Sequence, residues 1–163
     1  MSGNAGPVLG ACRWLESMPW AVTIRLSSWL YPVVLWVHFI GLSVFLATSA
    51  AVDLRLMGVG ARRLTAAQLS SGLFAWNWIG FAVAFAGGFL LLSAEATTYA
   101  ANIGFWLKLG VVFPLATIWH IVVQRKVSTL GRWAGLTELL LWTSVTVASV
   151  WFLLTNAVTH PPG

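Results

Sequence analysis

The sequence feature that most constrains this chain is a long apolar run without any formal charge, residues 27–52. About 20 mainly apolar residues are enough to cross the hydrocarbon core of a bilayer as one helix. A helix in the core of a soluble protein normally keeps a polar face for water, and this run has no such face to offer. The run therefore predicts a membrane-spanning helix.

The composition extends this interpretation to the whole chain. Of the 163 residues, 59% are hydrophobic and only 8% are charged, and the mean hydropathy is +0.85. These values are far from those of soluble proteins and are typical of a small membrane protein with one domain. The 11 tryptophans agree with this class, because indole rings collect at the membrane–water boundary. The net charge of +5 lies mostly in short loops, so it indicates membrane topology rather than nucleic-acid binding.

Four apolar segments predict an all-α fold, an up-down bundle of four membrane-spanning helices joined by short links. The predicted spans are 28–57, 72–94, 103–123 and 135–158. Thr65 and Gln68 have the spacing of a capping box, which predicts a helix start in the loop before the second span. Pro114 predicts a kink in the third span, because proline interrupts the hydrogen bonds of a helix.

The second predicted span has a face of small residues, on which Gly80, Ala84 and Gly88 stand four apart. Such a face lets another helix approach closely, either from the same chain or from a partner. We therefore expect close helix packing here, and a homo-oligomer or a membrane partner subunit is the expected context.

The segments outside the spans predict the orientation in the membrane. Residues 1–27 mix tryptophans with charged residues, which predicts one or two short helices lying in the membrane interface and no secretory signal. The alternative is a disordered tail. Six basic residues fall in the loops 53–71 and 124–133: Arg55, Arg62, Arg63, Arg125, Lys126 and Arg132. The other side has only Arg13 and Arg25, so we expect both termini, including the short tail 159–163, on the periplasmic face of a bacterial inner membrane.

Ionisable and amide side chains inside a span are energetically costly, so each is a candidate for a functional site. The candidates are His38, Asp53, Arg55, Asn77, Lys108, His120 and Glu138. Each has an ordinary structural alternative. A histidine can simply bond a neighbouring helix, Lys108 can snorkel to the surface, and Asp53 and Arg55 can be end-of-helix charges. Glu138 in a first turn also suits the helix dipole.

Three spans carry a stripe of small and polar residues on one face of an ideal helix, at about 100° per residue. The stripes are His38, Gly41, Ser49 and Asp53; Trp106, Gly110, Thr117, His120 and Gln124; and Glu138, Trp142, Ser149 and Asn156. We expect these stripes to face the inside of the bundle.

His120 and Glu138 are predicted to meet. At the rise per residue of an α-helix, His120 lies about 7 Å along the helix axis from Arg125, and Glu138 lies about 9 Å from Arg132. Both arginines belong to the loop 124–133, so His120 and Glu138 are predicted at similar depths in the membrane. They lie on consecutive helices with a short connection, which favours neighbouring positions. We predict a His120–Glu138 pair, with Asn77 near the same level. The alternative is that His120 bonds Asn77 or a threonine of its own helix.

The motifs WVHFIGL, AVDLRLMG, FWLKLG and IWH, in this order over residues 29–125, resemble a family of small bacterial four-helix inner-membrane proteins of unknown function. More remotely, the chain is similar to copper-resistance-D and b-type cytochrome membrane domains. This resemblance implies haem b as a cofactor and His38 or His120, or both, as ligands. In those cytochromes the iron takes two histidines at one level, whereas here the two are predicted about 15 Å apart in height. His160 lies beyond the predicted end of the fourth span and cannot serve as the second ligand. The haem expected from the resemblance is therefore either five-coordinate, with one histidine, or shared between two copies of the chain.

The sequence contains no Gly-rich phosphate loop, no supported Ser/His/Asp grouping and no Cys/His zinc spacing. Its one cysteine, Cys12, excludes an internal disulfide. These observations favour a non-enzymatic subunit or accessory protein of a membrane complex. The alternatives are a haem-b electron-transfer protein that uses His38 and His120, and a proton or small-solute conductor that uses Glu138, His120 and Asn77.

Overall fold

The computed structural model of the chain describes residues 6–60 and 63–159, with side chains as far as residue 151. Every regular element in these ranges is helical: α1 Pro7–Glu16, α2 Pro19–Leu26, α3 Leu30–Leu56, α4 Ala66–Ala94, α5 Ala96–Ala100, α6 Ile103–Leu107, a π-helical turn Lys108–Val112, α7 Phe113–Lys126 and α8 Arg132–Thr159. The all-α prediction is confirmed. Arg62, His160 and the side chain of Asn156, which entered the sequence predictions, lie outside the described residues.

Within the described residues, four segments are long and apolar enough to cross a membrane. They are α3, α4, the continuous segment Ile103–Lys126 and the part Arg132–Trp151 of α8. Much of their apolar surface is exposed, as at Trp36, Ile118 and Trp151, which a bilayer would cover and water would not. The chain is therefore a multi-pass integral membrane protein, and the predicted helical bundle is confirmed.

Local hydrogen bonds explain where α3 ends and α4 begins. After α3 the N–H of Val59 donates to the carbonyl of Leu54, and Gly58 takes a φ of 86°, a left-handed conformation that favours glycine. At the start of α4 the N–H of Thr65 donates to Oε1 of Gln68 over 2.9 Å, and the N–H of Gln68 donates to Oγ1 of Thr65 over 3.1 Å. The predicted capping box is confirmed, and α4 accordingly begins before residue 72.

The third span contains a π-helical turn where the sequence predicted only a kink. In this turn, Lys108–Val112, the N–H of Phe113 donates to the carbonyl of Lys108, five residues earlier. Pro114 follows at once. A proline has no N–H, and its ring pushes away the carbonyl four residues before it, so the preceding turn cannot stay a regular α-helix.

The described residues form two compact units, which are described separately. The first comprises residues up to 45 together with 76–103, and the second comprises 46–75 together with the residues from 104 onward. In the first unit, Oε1 of Glu16 accepts hydrogen bonds from both the N–H and the hydroxyl of Thr97, at 2.7 and 2.8 Å. Nη1 of Arg25 donates to the carbonyl of Ala94. The predicted N-terminal helices are present and packed, and their place in the membrane interface stays a prediction.

Also in the first unit, the small-residue face of α4 packs against α3. A Cβ atom on Gly80 would lie 2.7 Å from the backbone nitrogen of Phe45, and one on Gly41 would lie 2.6 Å from the nitrogen of Ala84. Real Cβ atoms do not come so close, so the two backbones approach as far as glycine allows. The sequence predicted that this face would pack against a helix of the same chain or of a partner. In the structure it packs against α3 of the same chain.

Candidate functional site

Three buried ionisable side chains meet in the second unit. Asp53 comes from the last turns of α3, His120 from α7 and Glu138 from the second turn of α8. The exposed fractions of these residues are 1%, 0% and 1%. We call these three residues the acid–histidine cluster. Groups that would be charged in water are here enclosed by protein, so their interactions with each other decide their state.

The contact between His120 and Glu138 is direct. Nδ1 of His120 lies 2.5 Å from Oε1 of Glu138, with both side chains buried. The pair predicted from the helical rise is therefore present. The hydroxyl of Thr117, one turn before His120, donates to the carbonyl of Phe113 on the same helix.

Asp53 extends the pair to three groups. Its carboxyl group is close enough to that of Glu138 for a hydrogen bond when one of the two carries a proton. Among the described residues, no donor reaches either carboxylate oxygen of Asp53 or Oε2 of Glu138. Two carboxylates cannot hydrogen-bond each other, because both only accept, so a shared proton is the way to satisfy them.

Gly135 lets α8 come close enough to α3 for this contact. A Cβ atom at Gly135 would lie 2.6 Å from the carbonyl oxygen of Asp53. Gly135 stands three residues before Glu138 and thus on the same helical face. The sequence interpretation missed this residue. The signal that could have found it is a glycine one turn before an intramembrane glutamate.

Aromatic side chains close the cluster from the side of α8. The ring of Trp142, one turn after Glu138, stands edge to face with the His120 ring at a centroid distance of 6.2 Å. Trp142 also contacts Phe113 in the same manner. Nε1 of Trp119 donates to the carbonyl of Ala134 over 3.2 Å and so joins α7 to the first turn of α8. The His120 ring is therefore fixed in direction and shielded from the surroundings.

The charge balance of the cluster follows from its burial. With both carboxyl groups ionised and the imidazole neutral its charge would be −2, and an uncompensated charge at low dielectric costs several kcal/mol per ion. Two further protons would bring this charge to zero. The cluster is therefore a place where protons are held and can be exchanged between adjacent groups.

A groove of about 250 Å³ adjoins Asp53 between α3 and α8. Its polar lining consists of Ser49, Asp53, Thr143 and Thr146, the indole of Trp142 forms one wall, and the remaining lining is aliphatic. Thr143 is exposed at the surface of α8, so the groove is open to the outside of the second unit.

The other residues predicted as candidates lie elsewhere. In the first unit, Nδ1 of His38 lies 2.7 Å from the carbonyl oxygen of Ala84, and Nδ2 of buried Asn77 lies 3.5 Å from the carbonyl oxygen of Phe45. In the second unit, Nε of Arg55 donates to the carbonyl of Leu64 and so braces the α3–α4 connection. Lys108 begins the π-helical turn and is half-buried.

The two histidines predicted as haem ligands have different surroundings. His120 is fully buried and its Nδ1 contacts Oε1 of Glu138, and its role as a haem ligand stays a prediction. When Nδ1 of His38 donates to the carbonyl of Ala84, Nε2 is left unprotonated. An unprotonated Nε2 is the atom with which a histidine coordinates iron as one axial ligand. Within the described residues there is no group of three His, Cys, Asp or Glu side chains placed to hold a metal ion.

No protein-family model, curated protein or solved structure matches the chain. The resemblance to small bacterial inner-membrane proteins therefore stays a prediction. The geometry of the acid–histidine cluster is what points to a function.

Proposed function

We propose that this chain is a non-enzymatic subunit of a membrane complex that transfers protons, with Asp53, Glu138 and His120 as the relay. The observation that carries the proposal is the contact of three buried ionisable side chains within helices that are apolar enough to cross a membrane. Such groups are expensive to keep in a bilayer, and rows of Asp, Glu and His are the usual form of intramembrane proton paths.

The geometry supports transfer in short steps. A proton on Asp53 can pass to Glu138 through the hydrogen bond that forms between the two carboxyl groups when one of them is protonated. It can pass on to His120 across the 2.5 Å contact between Oε1 and Nδ1. Each step spans a single hydrogen bond, and the groove between α3 and α8 lies next to the first group.

Proton conduction is tested with the purified protein in liposomes that enclose a pH-sensitive dye. A potassium diffusion potential set by valinomycin should drive protons inward, and the dye should report acidification faster than in empty liposomes. Asp53→Asn and Glu138→Gln should each lower the rate at least about tenfold, because each removes a group that must bind and release the proton.

The matched control is Ser144→Ala, which changes an exposed hydroxyl on α8 that donates to the carbonyl of Leu140 on its own helix. This variant should keep the wild-type rate. Equal rates for wild type, Asp53→Asn and empty liposomes would contradict the proposal.

A Soret band in the purified protein that shifts on reduction would instead support haem at His38.

We also infer a bacterial inner-membrane location with both termini in the periplasm. The support is the excess of basic residues in the two loops on one side of the spans, including Arg63 and Arg125. Alkaline phosphatase fused after residue 163 should be active, and the same enzyme fused in the loop at residue 128 should be inactive. The reverse pattern would show that the orientation is inverted.

A further inference from the structure

A second groove, of about 310 Å³, lies where the chain turns from α7 into α8, and we call it the α7–α8 groove. It is lined by residues of α7, of the connection and of the first two turns of α8: Trp119, Leu130, Gly131, Trp133, Ala134 and Thr137. The indole N–H of Trp119 and the hydroxyl of Thr137 both donate to backbone carbonyls of α8, so neither donor is available to a ligand. The groove therefore offers a mainly apolar surface, and it is open at the exposed side chains of Trp133 and Thr137.

Three basic side chains stand at the same connection. Arg125 and Lys126 end α7, Arg132 begins α8, and all three are exposed. The guanidinium carbon of Arg132 lies 5.2 Å from the centre of the Trp133 ring, which lines the groove. In the sequence of the second unit, the acidic residues are the two of the acid–histidine cluster, and both are buried. The positive charge at the groove is therefore not balanced by an acidic side chain of its own unit.

We propose that the α7–α8 groove binds one anionic phospholipid, with an acyl chain in the groove and the phosphate at Arg132 and Lys126. Basic side chains beside an apolar groove at the end of a membrane span complement a molecule that joins a negative group to an apolar chain. Arginine suits the phosphate, because its planar guanidinium group can donate two parallel hydrogen bonds. No residue of the acid–histidine cluster takes part, so the lipid site does not depend on proton transfer.

The apolar half of the site favours a lipid over a free phosphate ion. A phosphate ion would use the basic side chains and leave the groove empty. An apolar cavity of about 150 Å³ is enough for benzene. The groove has about 310 Å³ and therefore admits several methylene groups of one acyl chain. Tryptophans such as Trp119 and Trp133 collect at the boundary between headgroups and acyl chains, which is the depth at which the two parts of a lipid meet.

The test is native mass spectrometry of the full chain in detergent micelles with dioleoyl phosphatidylglycerol as the probe. Dioleoyl phosphatidylcholine, which has the same chains and no net charge, should bind at least about tenfold more weakly. Arg132→Gln should weaken phosphatidylglycerol binding about fivefold and Lys126→Gln/Arg132→Gln about 25-fold, because each basic residue near a lipid surface contributes a factor of roughly five. Excess inorganic phosphate should not displace the lipid.

The matched control is Arg63→Gln. Arg63 is exposed in the connection between α3 and α4 and does not line the groove, so its replacement removes the same charge at another place. This variant should keep the wild-type affinity for phosphatidylglycerol. Equal weakening by Arg63→Gln and Arg132→Gln would show that the lipid responds to net charge alone and would overturn the site. Equal binding of the two lipids to wild type would overturn it as well.

The position of the acyl chain is tested with a phosphatidylglycerol that carries a photoreactive diazirine in this chain. In wild type the crosslink should fall on peptides that contain Trp119 or Trp133. Thr137→Phe places a ring at the open side of the groove and should lower both this crosslink and the affinity at least about fivefold. Its thermal midpoint in lipid-free micelles should stay near that of wild type, because Thr137 is exposed.

Two further outcomes would overturn the lipid site without any variant. Crosslinks of wild type that fall only on α3 or α4 would show that the acyl chain lies elsewhere. Displacement of phosphatidylglycerol by inorganic phosphate would show that the basic side chains hold a plain anion.

Discussion

Replacement of Glu138 by leucine is expected to lower the free energy of unfolding by about 3–5 kcal/mol. This is the usual cost of removing one partner of a buried ion pair and leaving the other in place. The reason is that Glu138 lies between His120 and Asp53, and leucine leaves both without their common neighbour. Glu138→Gln should cost clearly less, because its amide oxygen can still accept from the imidazole and its NH₂ can donate to Asp53. The measurement is reversible unfolding in mixed micelles of mild detergent and dodecyl sulfate.

The matched control for this experiment is the neighbouring position on α8. The side chain of Thr137 is exposed, and its hydroxyl donates to the carbonyl of Trp133 on its own helix. Thr137→Val should therefore leave stability within about 0.5 kcal/mol of wild type. Unchanged stability of Glu138→Leu would contradict the arrangement of the cluster described here.

The second large effect is expected at the crossing of α3 and α4. Leucine in place of Gly80 should destabilise the protein by at least about 3 kcal/mol or prevent folding, because its Cβ alone would lie 2.7 Å from the nitrogen of Phe45. Flexible side chains can move aside, but a helix backbone can yield only by separating the two helices. The thermal midpoint of unfolding in detergent is the quantity to compare.

Another glycine on the same helix provides the control. A Cβ atom at Gly72 meets nothing within 4 Å, so Gly72→Leu should be neutral or slightly stabilising, as leucine is the better helix former. If Gly80→Leu and Gly72→Leu have the same thermal midpoint, the close crossing of α3 and α4 is wrong.

Features that depend on hydrophobicity and on a constant helical rise could be predicted from the sequence. The four spans are of this kind, because each is an uninterrupted apolar run. The contact of His120 with Glu138 is another, because both sit a few residues from the same short connection and a regular helix converts that distance into height. The capping box of Thr65 and Gln68 is local and needed no knowledge of the remaining chain.

Features that depend on contacts between residues far apart in the sequence, or on irregular helix geometry, could not be predicted. The stripe of the third span placed Trp106 and Gly110 on the same face as His120, yet both are exposed while His120 is buried. The π-helical turn Lys108–Val112 follows Trp106 and contains Gly110. It changes the register of these positions relative to His120, so one helical wheel cannot describe the span. The role of Gly135 likewise depends on a neighbour on α3, far away along the chain.

The assembly of the cluster from distant segments has a consequence for biosynthesis. Asp53 emerges from the ribosome with the first span, His120 with the third and Glu138 with the last. A nascent chain that still lacks α8 thus carries an intramembrane aspartate and histidine whose common partner has not been synthesised. Insertion of α8, with Gly135 closing onto α3, is therefore the step that completes the acid–histidine cluster.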